Sequence, residues 1–400
     1  MKRAKAILSL IAMTVVASGT ARAQNAMEVP EAMLGQEMLT DSIPQDSLVA
    51  PAHRNFFQKI LDYFKQSNRE VEPGKFDVTF IGGPHYSEEK KFGIGLLAAG
   101  VYRPDFSTPP SDVSLYGDVS TVGFFELGIS GHHISRNDAS RINYKAYFYS
   151  FPNYFWGVGF PADFNDANKT KYKKLETRVV AEWVWRVADN MYLGPSVDFS
   201  YIGARNPENP LPWAGYDLST YSYGVGATYS YDTRDNLTGP TRGMYGQAAI
   251  KAYPAFLFNK HSFGNLELTY SYYKGVWKGG ILAMRVHGMF SLGHDVPWGL
   301  VPYVGGSYDM RGYFEGRYCD RNEADVTFEL RQHVWRRNGI AVWAGVGEVF
   351  PNFRSLRWDW LLPSYGIGYR WEFKKNINIR FDLGFGRRSS NFIFSINEAF

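Results

Sequence analysis

The 400-residue chain predicts an all-β fold: a transmembrane antiparallel β-barrel of 16 strands preceded by a short N-terminal helix. Three observations predict it. An export signal opens the chain, yet no later stretch is long and apolar enough for a membrane helix. From Phe76 to Phe400, short aromatic-rich segments alternate apolar and polar residues. The connections between those segments alternate short and long. In lipid every backbone N–H and C=O must be satisfied within the protein, which leaves helices and edgeless barrels.

The first 23 residues read as a signal peptide. Lys2, Arg3 and Lys5 form a basic head, Ala6–Val16 an apolar run too short to span, and Ala21-Arg22-Ala23 a small-x-small cleavage site. Gln24 then begins the mature chain, and without a Cys there a lipoprotein anchor is not expected. Residues 24–75 read as a periplasmic leader, and 76–400 as the outer-membrane barrel. Gln24–Ala52 is poor in aromatics and carries Pro30, Pro44 and Pro51, the composition of a disordered segment. His53–Ser67 places Phe56, Phe57, Ile60, Leu61 and Phe64 at helical spacing, ending before Pro73-Gly74. Two readings fit this short amphipathic helix: a tether against the barrel mouth, or a plug or partner-docking element.

Composition narrows the classes. Lys and Arg number 43 against 39 Asp and Glu, with no basic block, so nucleic acid is not an expected partner. Cys319 is the single cysteine and cannot form an intramolecular disulfide. A fully paired barrel ladder needs none. The negative mean hydropathy suits a barrel, because half of each strand faces a polar lumen.

The alternation is cleanest near the C-terminus. Tyr365, Ile367, Tyr369, Trp371 and Phe373 oppose Ser364, Gly366, Gly368, Arg370 and Glu372. Ile377, Ile379, Phe381, Leu383 and Phe385 oppose Asn378, Arg380, Asp382, Gly384 and Gly386. In the last strand Phe392, Phe394, Ile396 and Phe400 share one face and form the C-terminal strand signal. The expected strands are 76–86, 90–103, 111–121, 123–134, 140–151, 170–187, 189–203, 217–231, 242–253, 261–275, 278–292, 324–336, 339–350, 362–373, 377–387 and 391–399. Short turns fall near Ala188-Asp189, Gly275–Lys278, Arg337–Gly339 and Lys374–Asn376, long loops near 152–168, 204–216, 293–323 and 351–361. An even count puts both ends in the periplasm. Tyr, Phe and Trp then serve as interfacial girdles.

Two motifs stand out. Tyr231-Asp232-Thr233-Arg234-Asp235-Asn236, followed by Gly239-Pro240-Thr241-Arg242-Gly243, links two strands, with Pro and Gly fixing a turn and Asp and Asn able to bond local backbone donors. Met310-Arg311-Gly312-Tyr313 lies inside the longest loop, 293–323, between expected strands eleven and twelve.

This motif pair resembles the BamA/TamA superfamily of outer-membrane barrels, the bacterial surface antigens, and the resemblance covers residues 76–400. It implies that the 293–323 loop folds back into the lumen and that Arg311 pairs with the barrel wall. An arginine in that restricted space needs a carboxylate or carbonyl partner. Alternation puts Asp325, Glu329, Arg331 and His333 on one face of their strand, and Arg370, Glu372, Arg380 and Asp382 face inward on later ones. Glu329 or Asp382 is the expected partner of Arg311, since a planar guanidinium fork can hold one carboxylate through two hydrogen bonds. The sequence departs from the family in two places. Trp343-Ala344-Gly345-Val346-Gly347 has Gly where the family carries the Asp that receives the loop arginine. Residues 24–75 are too short to hold a periplasmic POTRA repeat.

Three functions follow. The resemblance implies insertion or translocation of outer-membrane proteins or other envelope components, through a weak seam between Phe76–Tyr86 and Asn391–Ala399. Gly82, Gly83 and Pro84 weaken the first strand, unless a loop begins there. The alternative is a passive channel or structural barrel, since sixteen strands can enclose an aqueous bore. The third, an enzyme, is not expected: no G-x-S-x-G elbow, H-E-x-x-H helix or spaced acid/base set occurs. His85, His132, His133, His261, His287, His294 and His333 read as lumen or girdle residues, and adjacent His132 and His133 point to opposite faces. No catalytic residue, cofactor or metal is assigned. The expected partners are outer-membrane lipids, lipopolysaccharide and phospholipid, and a separate periplasmic or lipoprotein partner. The expected location is the outer membrane of a Gram-negative bacterium.

Overall fold

The structure, a computed structural model, describes residues 72–87, 91–374 and 377–400. The signal peptide and the His53–Ser67 helix lie outside the described residues. Eighteen strands run along the described residues: β1 (Phe76–Ser87), β2 (Lys91–Tyr102), β3 (Ser111–Ser120), β4 (Phe125–Ile134), β5 (Ser140–Phe155), β6 (Thr170–Ala188), β7 (Met191–Arg205), β8 (Ser219–Asp232), β9 (Gly243–Tyr253), β10 (Phe263–Trp277), β11 (Gly280–Leu292), β12 (Tyr303–Val304), β13 (Tyr318–Cys319), β14 (Asn322–Trp335), β15 (Asn338–Phe350), β16 (Leu362–Lys374), β17 (Ile377–Gly386) and β18 (Ser389–Ile396). Sixteen of them form one antiparallel sheet in sequence order, with β11 pairing directly to β14. The two-residue strands β12 and β13 pair only with each other, inside the loop between β11 and β14.

The period of two sorts each strand by solvent. On β14 the side chains of Glu323, Asp325, Thr327, Glu329 and Arg331 are buried, whereas Phe328 between them is exposed. On β7 Ser196, Asp198 and Ser200 point inward and Leu193 and Val197 outward. The exposed series continues with Ile94, Leu96, Leu115, Leu127, Ile367, Phe392 and Phe394. A polar interior inside an apolar exterior inverts the pattern of a soluble protein and is the arrangement of a membrane barrel. Trp185, Trp277 and Trp335 lie exposed near the short turns after β6, β10 and β14, a girdle at that end.

From β5 onward loop lengths follow the expected asymmetry with two exceptions: ten residues join β8 to β9 at the short-turn end, and two join β17 to β18 at the long-loop end. Tight turns join β6 to β7, β10 to β11 and β14 to β15, and long loops follow β5, β7, β11 and β15. The early strands differ, since β3 and β4 are joined briefly at the long-loop end. Of the two readings of the first strand, the structure has the uninterrupted one: β1 pairs with β2 from Phe76 to Ser87, through Gly82, Gly83 and Pro84. No ladder joins β1 to β18 among the described residues.

The long loops cover their end of the bore with an aromatic core. Phe155, Tyr172, Trp213, Tyr253, Phe263 and Trp298 pack together there. A short helix, α1 (Phe160–Phe164), follows β5 and docks on the β12–β13 hairpin. Phe160 stacks on Trp360 and Tyr318 at 4.9 and 5.7 Å between ring centroids, and Gly159 N donates to Cys319 O at 2.8 Å.

The last strand ends differently from expectation. Phe392 and Phe394 face outward at 50% and 55% exposure, but β18 stops at Ile396. The side chain of Ile396 is not among those described. Asn397 takes a left-handed φ of 69° and turns the chain into the bore, so Phe400 does not share the outward face. Its ring instead lies near Tyr273 and the Arg331 guanidinium. The cause is Glu398. Continued alternation would place its carboxylate on the lipid side, where a charge is costly.

Candidate functional site

Arg311 reaches deep into the bore from the loop between β11 and β14. Its side chain is fully buried. Nη1 donates to Asp382 Oδ2 at 2.7 Å and Nη2 donates to Glu329 Oε2. The guanidinium lies over the Trp343 ring, 3.8 Å from its centroid, in a cation–π contact. One arginine therefore joins β14, β15 and β17. Both acids expected from alternation meet it at once. Trp343, on the strand where the family's Asp is missing, supplies a ring face instead.

The backbone around Arg311 is held as closely. Ser364 Oγ donates to Arg311 O at 2.8 Å. The Tyr313 hydroxyl donates to Pro363 O at 2.6 Å and accepts from Arg387 N at 2.7 Å. Gly312 has φ +132°, and a Cβ there would fall 2.7 Å from the Phe385 backbone. Met310 packs with Tyr313, Tyr318, Val349 and Leu362. The four residues of the motif thus divide the work into apolar anchor, charge, close approach and hydroxyl clamp.

Around the clasp, guanidinium groups outnumber side-chain carboxylates. Glu329 Oε1 accepts from Arg331 Nε at 2.6 Å. Asp382 Oδ1 accepts from Arg370 Nη1 at 2.5 Å, and Oδ2 accepts from Arg380 Nη1 at 2.9 Å. Glu398 Oε2 accepts from Arg370 Nε at 2.8 Å. Four guanidinium groups thus meet three side-chain carboxylates. The remaining donors go to main-chain oxygens: Arg380 Nη2 donates to the Ser307 carbonyl at 2.7 Å, and Arg331 Nη2 to an oxygen of the Phe400 terminal carboxylate at 2.7 Å. Sequence reasoning missed Glu398. Its signal was there to read, as an acid at an even position among the outward Phe392 and Phe394.

The second motif closes the other end of this network. Asp232 accepts from Arg234 Nε and Nη2, both at 2.9 Å, and from Arg141 Nη1 at 3.2 Å. Asp235 Oδ1 accepts from Thr241 N at 2.9 Å and Arg242 N at 3.3 Å, pinning the turn. Gly243 has φ +100°, and a Cβ would fall 2.2 Å from Thr233 O. Pro240 is buried, whereas the Arg242 side chain is 82% exposed and plays no part in the lumen. Glu398 N donates to Thr238 O at 3.3 Å. The turn motif, the C-terminal residues and the loop arginine are therefore one connected set of hydrogen bonds.

A sheet with a polar interior, aromatic girdles and a long loop locked into its own lumen defines an outer-membrane barrel with an internal clasp. The Omp85 superfamily domain matches residues 131–400, and the chain belongs to that superfamily. Its place is the outer membrane of a Gram-negative bacterium. Among solved structures it is similar to BamA from Haemophilus ducreyi lacking POTRA domains 1-3. That match has a TM-score of 0.52 and 11% identity, over 81% of this chain and 69% of that one. CdiB from Escherichia coli matches with a TM-score of 0.50 and 10% identity, over 85% and 69%. No curated protein matches the chain in sequence.

Proposed function

We propose that this barrel assists the insertion or translocation of outer-membrane proteins or other envelope components, by opening between β1 and β18. The observation that carries the reading is the sheet order, which runs from β1 to β18 with no ladder between these end strands among the described residues. Exposed strand edges template incoming strands. Gly82 and Gly83 bring β1 no side chain to pack, and Pro84 one donor fewer. The clasp offers a way to set the seam. Asp382 lies on β17, beside β18, and Glu398 lies two residues past its end. Movement of the last strands must therefore strain the Arg311 network. A separate periplasmic or lipoprotein partner would deliver clients at the short-turn end.

The test is reconstitution in liposomes with an unfolded small outer-membrane barrel as client. Folding is followed by the client's mobility shift on unheated gels. The expected result is faster folding than in empty liposomes, abolished when cysteines introduced on β1 and β18 are joined across the seam by a reducible bifunctional cross-linker and restored on reduction. No acceleration, together with steady ion conductance through planar bilayers, would replace this reading with a passive channel.

A further inference from the structure

A second buried cluster lies in the lumen wall, separate from the clasp. His287 on β11 opposes Asp325 on β14, and Glu323 lies one inward position further along β14. His287 Nδ1 is 3.1 Å from Glu323 Oε2 and 3.6 Å from Asp325 Oδ2. Its other nitrogen, Nε2, is 3.5 Å from Glu267 Oε1 on β10. The Glu323 and Asp325 side chains are 2% and 1% exposed. Their other oxygens, Glu323 Oε1 and Asp325 Oδ1, are buried and accept no hydrogen bond. The nearby Arg285 is engaged by Asp309 of the lumen loop, with Nη2 donating to Oδ2 at 3.3 Å.

Donor and acceptor counting identifies what is missing. An imidazolium brings one charge and a single Nδ1–H to two carboxylates, and leaves oxygens of both unsatisfied. Buried anions at this spacing need a further positive charge. A divalent cation supplies it and takes the Nδ1 lone pair as well. The nitrogen and the two carboxylates offer ligand atoms within 4.8 Å of one another, which modest side-chain rotation brings to a shared ion at about 2.0–2.2 Å. Glu267 is then the acceptor for Nε2–H, the carboxylate–histidine–metal relay that fixes ring and tautomer.

We propose that His287, Glu323 and Asp325 form a divalent metal site in the lumen wall, oriented by Glu267. This departs from the sequence reading, which assigned no metal. One imidazole and two carboxylates suit a borderline or hard transition ion, Zn²⁺ or Mn²⁺, with water completing the coordination. Ca²⁺ and Mg²⁺ prefer oxygen alone. The ion bridges β11 and β14, the strands that bear the two ends of the Arg311 loop, and so fastens the base of that loop.

The test uses the full chain, purified in detergent and stripped with EDTA, then titrated calorimetrically with ZnCl₂ and separately with MnCl₂. Metal retained after desalting is counted by mass spectrometry. One equivalent of at least one ion is expected, bound with micromolar affinity or tighter and not displaced by millimolar Ca²⁺ or Mg²⁺. Glu323→Gln combined with Asp325→Asn should weaken binding by about 100-fold or more, and Glu267→Gln by about 10-fold. These substitutions remove buried negative charge, so the fold should persist, as the heat-modifiable gel shift will verify. If a variant fails to fold, the wild-type titration alone decides. A folded wild type that binds neither ion, or binding unchanged in the double variant, overturns the proposal and leaves an imidazolium held among acids.

Discussion

Arg370 and Glu398 are joined by a 2.8 Å hydrogen bond that ties the residues after the last strand to the wall of β16. Arg370 also bonds Asp382, which bonds Arg311. The chain end and the lumen loop, 87 positions apart in sequence at Arg311 and Glu398, thus share one electrostatic system. A change at either end of that system is felt at the other.

Arg311→Ala should lower the temperature at which the folded form loses its heat-modifiable gel shift. It leaves Glu329 and Asp382 buried with one guanidinium fewer. Breaking a fully buried pair from one side costs about 3–5 kcal/mol. Arg311→Lys should rescue little, since an ammonium cannot fork to both acids while lying flat on Trp343. An unchanged midpoint for Arg311→Ala would mean that the loop is held by its other contacts, Met310 and Tyr313 with the Arg285–Asp309, Arg380–Ser307 and Ser364–backbone bonds.

Gly312 and Gly316 give a paired test of loop docking. Both have positive φ, +132° and +75°. Only Gly312 is pressed against another strand, with the Phe385 backbone at 2.7 Å from a Cβ, whereas Gly316 has open space. Gly316→Ala should cost about 1 kcal/mol, from its backbone conformation alone. Gly312→Ala should cost several times that and expose the loop to proteases added at the long-loop side. Equal effects would place the strain in φ and not in the contact with β17.

Much of this was legible in the sequence because the barrel has two solvents. Lipid and lumen impose opposite preferences at successive residues, so Phe328 beside Glu329 already orients β14. The motif pair placed the loop, and alternation narrowed the partners of Arg311 to acids that do bind it. What stayed hidden depends on contacts far apart in sequence. Nothing local says that the Trp343 ring receives Arg311, or that His287 faces Glu323 and Asp325 across a strand pair. The turn at Asn397 was missed because alternation was extended past the residue, Glu398, that violates it.

Glu398→Gln should destabilise the barrel less than Arg311→Ala, because the amide oxygen can still accept from Arg370. A double-mutant cycle of Glu398→Ala with Arg370→Ala, each of which removes the hydrogen bond, measures the link directly. Coupling of about 1–3 kcal/mol is expected for residues sharing one buried network. A coupling near zero would show that the chain end lies in the bore without holding the wall.

Acidification should tighten the docking of α1 on the lumen loop. Asp163 lies between β5 and β6, fully buried, with Oδ2 accepting from Cys319 N at 2.8 Å and Oδ1 without a partner. Burial raises its carboxyl well above the usual range, and the nearby Asp320 adds to this, while the Cys319 amide opposes it. A carboxyl raised on folding contributes stability that is full below its unfolded value and fades as pH rises through the folded one. Protection of the Cys319 amide from hydrogen exchange, corrected for the intrinsic rate, should therefore be greater at pH 5 than at pH 8. Asp163→Asn keeps an acceptor for that amide and removes the charge. It should flatten the pH dependence and raise protection at pH 8. Protection that instead grows with pH in the wild type would mean the carboxylate is stabilised when charged, by a cation held against α1.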